Sequence, residues 1–264
     1  TEKFQSLNQL LEDSFKKNSA KPFSVCMDRW MSYGQLDELS SSLGAWLQGL
    51  GLEPGSRIAI MLPNIPQFAV TMSAILRAGY TCVNVNPLYT ARELEHQLKD
   101  SGATSIVILE NFACTLAEVI ERTPVKNVVM TSMGDLLGFW YGHWITFAVR
   151  HLAKLVPAYK LPLGDGRAVT AFNTAISEGS RMALKPARNN LDSIAFLQYT
   201  GGTTGLSKGA VLTHRNIVAA VLQAEEWFTP ALKRIGDVSN TNNIAALPLY
   251  HIFALTLCLL NMRW

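Results

Sequence analysis

Cysteine is rare in this chain, and the four residues present, Cys26, Cys82, Cys114 and Cys258, lie far apart. Secreted domains stabilised by disulfides carry cysteine at much higher density, and no two of these cysteines have the spacing of metal ligands. We therefore expect reduced, mostly buried thiols, with neither a disulfide framework nor a cysteine-bound metal.

Charge of either sign is also sparse: Lys and Arg number 23, Asp and Glu number 20, and the formal net charge is +3. The chain has no run of basic residues and no alternation of basic and aromatic residues, so nucleic-acid binding is not expected. At the amino terminus, Thr1–Gln5 lacks the apolar core of a signal peptide. The expected compartment is therefore the cytoplasm.

Apolar residues are plentiful by contrast. With 48% hydrophobic residues over 264 positions, the chain can bury the core of one large or two ordinary domains. Apolar runs, many of them β-branched, predict strands at Phe23–Met27, Arg57–Leu62, Cys82–Val85, Ser105–Leu109, Asn127–Thr131, Ile194–Gln198 and Ile244–Leu247. Helices are predicted over Leu7–Phe15, Gln35–Leu50 and Gln67–Arg77, and from the capping-box spacing Thr90–Glu93 to Gly102.

This alternation of strands and helices predicts an α/β fold, doubly wound, with mostly parallel sheets and helices on both faces. The polar connector Pro186–Asn190 is the predicted internal boundary. Residues 1–189 would then form a first α/β subdomain with an insertion near 136–164, and residues 190–264 would begin a second.

From Tyr199 to Gly209, four glycines, three threonines and one lysine account for eight of eleven positions. Glycines allow backbone N–H groups to close around anionic oxygens, threonines supply hydroxyls, and lysine supplies positive charge. A nucleoside triphosphate is the ligand that this chemistry suggests, although glycine–threonine clusters also form plain turns. The residues assigned to nucleotide binding are Tyr199, Thr200, Gly201, Gly202, Thr203, Thr204, Gly205, Leu206, Ser207, Lys208, Gly209 and Ala210.

The spacing within this glycine-rich loop excludes two common phosphate-binding motifs. Counting from Gly202, Ser207 stands where a P-loop requires its second glycine. The glycine triplet of a dinucleotide fingerprint is also absent from this segment. Because short apolar runs precede and follow the loop, it is predicted to connect two strands.

The loop resembles the phosphate signature of the adenylate-forming superfamily, and Leu247–Leu255 resembles that superfamily's next core motif. Two further segments, Val85–Leu98 and Leu212–Asn216, are similar to segments of bacterial long-chain fatty-acid–CoA ligases. The resemblance covers nearly the whole chain. Ser207 is a departure, since most superfamily members carry proline at that position.

This resemblance implies ATP-dependent activation of a long-chain fatty acid to an acyl-adenylate, followed by thioester formation with coenzyme A. It assigns Lys208 and the loop amides to the β- and γ-phosphates, the hydroxyls of Thr200, Thr203 and Thr204 to the loop, and Thr200 to the Mg²⁺ side. His251 would border the acyl pocket and position the substrate. By itself, without the resemblance, His251 is expected to be a buried, hydrogen-bonded histidine.

The resemblance also implies that the chain is roughly the amino-terminal half of the enzyme and is inactive alone. The acidic magnesium motif and the small carboxyl-terminal domain with its catalytic lysine do not follow Trp264. Two alternatives stay open: another acid-activating enzyme, such as an aryl-CoA ligase or an amino-acid adenylation domain, and a silent nucleotide- or lipid-binding module.

The remaining histidines receive no acid or base role from the sequence. His96 is predicted to lie on the solvated face of its helix, and His214 near a helix start. Tyr89 and Arg92 are suggested as functional by the resemblance alone.

The segment Leu136–Gly164 contains no acidic residue and admits two interpretations. His143, Thr146, Arg150 and Lys154 follow helical spacing, and aromatic residues occupy much of the rest of 139–156. Such a helix suits an anionic lipid surface, which would place the protein at the inner face of the membrane, but it equally suits an ordinary surface helix. The uncharged run Ile244–Leu260 is interrupted by Pro248 and is predicted to be a buried strand, loop and helix rather than a membrane span.

Overall fold

The computed structural model describes residues 3–162, 164–200, 207–235 and 242–263. The strands in these ranges are β1 Pro22–Cys26, β2 Arg29–Ser32, β3 Arg57–Met61, β4 Thr81–Asn84, β5 Ser105–Leu109, β6 Asn127–Thr131, β7 Ala168–Ala171, β8 Ile194–Thr200 and β9 Lys208–Thr213. The helices are α1 Leu7–Asn18, α2 Tyr33–Gly49, α3 Pro66–Arg77, α4 Ala91–Ser101, α5 Ala113–Val119, α6 Phe139–Phe147, α7 Phe172–Gly179, α8 His214–Ile235 and α9 Ile252–Arg263.

Strands β3 to β9 form one seven-stranded sheet in the order β7-β6-β5-β3-β4-β8-β9. All neighbours in it are parallel except β8 and β9, which pair antiparallel. Strands β1 and β2 form a separate antiparallel hairpin. The predicted boundary at Pro186–Asn190 falls just before β8, which continues the same sheet; the division into subdomains stays a prediction.

Both faces of the sheet are covered by helices, as predicted. Along β3, Ile58 and Ile60 join one buried cluster, which also contains side chains of α1, α2, α3, α7, α8 and α9. Ala59 and Met61 join a second cluster, which contains side chains of α4 and α5. Because successive side chains of a strand point to opposite faces, this alternation places β3 at the centre of a doubly wound fold.

Local sequence signals account for the limits of α4. The Thr90 amide donates to Glu93 Oε2 at 2.8 Å, and Thr90 Oγ1 accepts from the Glu93 amide, so the predicted capping box is present. At the other end, Gly102 adopts a left-handed φ of 63°, which suits glycine. The helix is therefore fixed at both ends.

One predicted strand is absent. Ile244–Leu247 is irregular, with the Ala246 amide donating to the Ile244 carbonyl, and it pairs with no strand in the part of the chain that the structure describes. Instead, the Asn64 side chain binds this segment: its Nδ2 donates to the Ala245 and Leu247 carbonyls, and its Oδ1 accepts from the Leu249 amide. The prediction was wrong because an apolar run does not show whether a neighbouring strand edge exists. The predicted helix after it does form, as α9.

Two side chains connect the segment around α6 to the body of the protein. Thr146 Oγ1 lies 3.1 Å from Ser132 Oγ, and Arg150 binds the buried Glu110 carboxylate at 2.6 Å. Both side chains therefore contact the body of the protein, while the Arg150 side chain is 48% exposed. The lipid-facing interpretation of this segment stays a prediction. Among the described residues, no helix is both long and apolar enough to cross a membrane.

Candidate nucleotide-binding site

The two strands that flank the glycine-rich loop bring its ends together at one edge of the sheet. In the β8–β9 ladder, Thr200 is paired with Lys208, and Tyr199 is paired with Gly209. Thr200 and Lys208 are both exposed. The structure thus confirms the predicted strand–loop–strand arrangement. The predicted binding residues Gly201, Gly202, Thr203, Thr204, Gly205 and Leu206 lie outside the described residues.

Tyr199 supports the stems of the loop. Its ring packs so closely on Gly209 that a Cβ added there would lie 2.9 Å from ring atoms Cε2 and Cζ. Its hydroxyl donates to Asp100 Oδ2 at 2.5 Å. Burial, followed by the Asp100 carboxylate, raises the pKa of the Tyr199 phenol well above its usual range. The phenol therefore stays protonated and serves as a hydrogen-bond donor.

His96 lies against the other stem. Its side chain is half-buried, and Nε2 is 3.1 Å from the Ser207 carbonyl oxygen. Because a carbonyl can only accept, Nε2 carries the proton in this contact. The prediction that His96 faces solvent was wrong, since helical periodicity identifies the face of α4 but does not show that β9 begins beside it.

Polar side chains join the glycine-rich loop to the second motif, Leu247–Leu255. Asn84, the last residue of β4, donates through Nδ2 to Gln198 Oε1 at 3.1 Å, and Gln198 Nε2 donates to the Tyr250 carbonyl at 2.8 Å. Tyr89 also contacts both motifs, through a hydrogen bond with Ser207 and an electrostatic interaction with Tyr250. Burial raises the pKa of the Tyr89 phenol, and the hydrogen bond with Ser207 offsets part of that rise.

His251 lies at the start of α9. Its carbonyl accepts from the Leu255 amide at 3.0 Å, and its Nδ1 accepts from the Phe253 amide at 3.4 Å. The side chain is exposed, so the expectation of a buried histidine is wrong. The position is accessible to a ligand, and the assigned role in substrate positioning stays a prediction.

His214 is a structural residue. It begins α8, as predicted, and is fully buried, with Nδ1 accepting from the Leu7 amide at 3.1 Å. Burial lowers the pKa of its imidazole to about 4, so it is neutral near pH 7. It has no role as an acid or base at the site.

The described residues fit a magnesium-bound polyphosphate in one respect. Mg²⁺ in nucleotide sites keeps several waters and takes few protein oxygens, and the exposed Thr200 hydroxyl suits one such contact. Within residues 3–162, 164–200, 207–235 and 242–263, no group of three or more His, Cys, Asp or Glu side chains converges as a set of metal ligands.

Sequence reasoning missed the polar residues that support the site, namely Asn64, Asn84, Asp100 and Gln198. A usable signal existed for two of them. Asn84 and Gln198 interrupt otherwise apolar, fully buried runs, and ligands in open α/β sheets bind at the carboxyl ends of the strands.

The fold is a mostly parallel, doubly wound α/β sheet, and the exposed threonine and lysine where the glycine-rich loop meets it suit a phosphate-bearing ligand. Residues 11–263 match the family described as AMP-binding enzyme. The chain therefore belongs to the AMP-binding enzyme family.

Two CoA ligases are among the proteins similar to this chain. The chain is 46% identical over 261 residues to a long-chain-fatty-acid–CoA ligase of Salmonella typhimurium, covering 98% of this chain and 45% of that protein. It is 29% identical over 235 residues to 4-coumarate–CoA ligase 5 of rice, covering 88% of this chain and 36% of that protein. The chain thus spans less than half the length of these relatives.

A solved structure shows the same fold. The crystal structure of a long-chain-fatty-acid–CoA ligase from Archaeoglobus fulgidus superposes with a TM-score of 0.68 at 22% identity. The match covers 98% of this chain and 45% of that one.

Proposed function

We propose that this chain is part of an enzyme that activates a long-chain fatty acid with ATP and transfers it to coenzyme A. In the first step a carboxylate oxygen bonds to the α-phosphorus of ATP, the bond to the β-phosphate breaks, and pyrophosphate leaves. In the second step the thiol of coenzyme A, losing its proton, bonds to the acyl carbon, and AMP leaves.

One observation supports this function most directly: the exposed pair Thr200 and Lys208 at the mouth of the hairpin. A fatty carboxylate is already ionised near pH 7, so no protein base is needed for its attack. The work of the site is to position the reactants and to stabilise charge on the phosphates. Lys208 would contact the β- and γ-phosphates, and Mg²⁺ held in part by Thr200 would neutralise further charge.

The test is ATP–pyrophosphate exchange with palmitate in the intact protein. Lys208→Ala is expected to slow exchange by about 10²-fold, because loss of a charged contact to the reacting group costs a few kcal/mol at the transition state. Lys99→Ala is the control, since Lys99 is an exposed lysine whose ion pair is with Glu95. Exchange at the parental rate in Lys208→Ala would contradict the proposal.

The acid that is activated distinguishes the main alternatives. The higher identity to the Salmonella ligase than to the rice 4-coumarate ligase supports a fatty acid. Exchange should therefore be faster with palmitate than with coumarate or amino acids. Exchange with coumarate or amino acids alone would assign the protein to an aryl-CoA ligase or an adenylation domain.

We also propose that segment 139–156 contacts a lipid surface. Its outward side is apolar: Phe139, Trp140 and Leu152 are 68%, 83% and 62% exposed. The charge at this surface comes from basic residues such as the exposed Lys154, since the segment has no acidic residue. Aromatic and aliphatic side chains beside lysine suit the interface of an anionic membrane.

The free thiols Cys26, Cys82, Cys114 and Cys258 support the cytoplasm as the compartment.

Co-sedimentation with vesicles of phosphatidylglycerol and phosphatidylcholine tests this contact. The variant Trp140→Asp/Leu152→Asp is expected to lose binding. Trp227→Asp is a matched control, because Trp227 on α8 is 81% exposed but lies outside the segment. Equal sedimentation of the parent and the double variant would remove the lipid surface, and equal loss in the control would show non-specific adhesion.

A further inference from the structure

Helix α4 contacts both stems of the glycine-rich loop. His96 and Asp100 are one helical turn apart and therefore lie on the same face of α4. His96 Nε2 binds the carbonyl of Ser207, at the start of β9, and Asp100 Oδ2 binds the hydroxyl of Tyr199, at the end of β8. One face of one helix thus touches the chain immediately before and immediately after the loop.

We propose that His96 and Asp100 are positioning residues for the phosphate-binding loop. They act through Ser207 and Tyr199 and not by contact with ATP. This inference rests on the proposed function for its biological purpose, but the contacts themselves do not depend on which acid is activated.

The contact at Ser207 also orients the neighbouring lysine. No peptide bond among the described residues is cis, so the Ser207–Lys208 peptide is trans and planar. In a trans peptide the C=O and N–H groups point in opposite directions. Because His96 holds the Ser207 carbonyl toward α4, the Lys208 amide points away from α4. His96 thereby fixes the backbone from which the Lys208 side chain extends.

Helix α4 is a rigid support for these contacts. Leu94 and Leu98 are fully buried against the sheet, and Gln97 Nε2 donates to the Asn84 carbonyl at 2.8 Å. The capping box and Gly102 fix the helix ends. Stems held by such a support are preorganised, and preorganisation of a site favours binding of its ligand.

Limited trypsin digestion of the 264-residue chain, without nucleotide, tests the proposal. Trypsin cleaves after the exposed Lys208, so the cleavage rate there reports opening of the stems. His96→Ala and Asp100→Ala are each expected to raise that rate about fivefold, the factor that corresponds to one lost hydrogen bond. His96→Gln and Asp100→Asn keep a donor and an acceptor, and should restore the parental rate.

Two controls separate positioning from general destabilisation. Lys99→Gln alters the same helix at an exposed side chain whose ion pair is with Glu95, and should leave cleavage at Lys208 unchanged. Cleavage after Lys16, an exposed residue of the otherwise well-packed helix α1, is an internal standard in every digest. An unchanged rate at Lys208 in both alanine variants, or an equal rise at Lys16 and Lys208, would overturn the proposal.

Adding magnesium-ATP distinguishes this inference from the proposed function. Slower cleavage at Lys208 in the parent chain supports nucleotide binding by the loop. If ATP gives no protection but the alanine variants still open the stems, positioning by α4 holds and nucleotide binding by this chain fails.

Discussion

Gly209 and Tyr199 face each other across β8 and β9 with no space between them for a methyl group. A Cβ on Gly209 would lie 2.9 Å from two atoms of the Tyr199 ring, inside van der Waals contact. Packing therefore favours glycine at this position, where the glycine-rich loop joins the sheet.

Gly209→Ala should lower the free energy of unfolding by about 1–3 kcal/mol, because overpacking of this size exceeds the gain of less than about 1 kcal/mol from a stiffer unfolded chain. Urea unfolding measures the change. Gly164→Ala is the control, since a Cβ there meets no atom within 4 Å. Equal effects of the two substitutions would show that contact with Tyr199 is not the cause.

His214 should make stability depend on pH. Burial lowers the pKa of its imidazole from 6.5 to about 4 in the folded protein. Between these two values the unfolded chain binds a proton that the folded protein excludes, so stability is lost as the pH falls through this window. The loss approaches about 3 kcal/mol at the lower end.

Urea unfolding between pH 7.5 and pH 4 checks this dependence. His214→Gln keeps an acceptor for the Leu7 amide but does not titrate there, so its profile should be flatter than that of the parent. The exposed His143→Gln is the matched control and should keep the parental slope. A parental slope in His214→Gln would exclude His214 as the source.

The ion pair between Arg150 and Glu110 supports a third prediction. Glu110 is 2% exposed. Its Oε2 accepts from Arg150 Nε at 2.8 Å and lies 2.6 Å from Arg150 Nη2. Arg150→Ala would leave a buried carboxylate without this cation and should lower the free energy of unfolding by about 1–3 kcal/mol. This loss is smaller than that expected for a fully buried ion pair, because Arg150 is half-exposed. Adding Glu110→Gln should recover most of the loss in urea unfolding. Additive losses in the double variant would contradict the pairing.

Asn64 should control the segment before His251. Its side chain makes three hydrogen bonds to residues 245–249, one of them from the Leu249 amide to Oδ1. Asn64→Ala is expected to accelerate hydrogen exchange at Leu249 by about an order of magnitude. Asn64→Asp keeps an acceptor for that amide but loses the donor to the Ala245 and Leu247 carbonyls, so exchange at Leu249 should accelerate less than in Asn64→Ala. Slow exchange in both variants would show that the segment is held by other contacts.

Local patterns predicted most of the fold. The strands from Arg57 to Thr131 and the limits of α4 follow from apolar runs, the capping box at Thr90 and the glycine at 102, which act within a few residues. Ile244–Leu247 was mistaken for a strand because its partner is an asparagine side chain more than 180 residues earlier in the sequence.

The candidate site was predictable only where it depends on local sequence. The short apolar runs on either side of the loop predicted its two strands. The pairing of Thr200 with Lys208 across those strands was shown by the structure. The support from His96 and Asp100 was not predictable, because it depends on the packing of α4 beside β8 and β9. The inward direction of Arg150 was likewise set by Glu110, forty residues away in the chain.

The close contact between Gly134 and Gly142 has a consequence for binding of segment 139–156 to a lipid surface. A Cβ on Gly142 would fall 2.3 Å from the Gly134 carbonyl oxygen, so α6 meets the body backbone to backbone. A helix packed this closely moves together with the body and not independently of it. If the aromatic side of α6 bound a bilayer, the whole α/β body would be held in one orientation, which would also fix the orientation of the sheet edge that carries the glycine-rich loop.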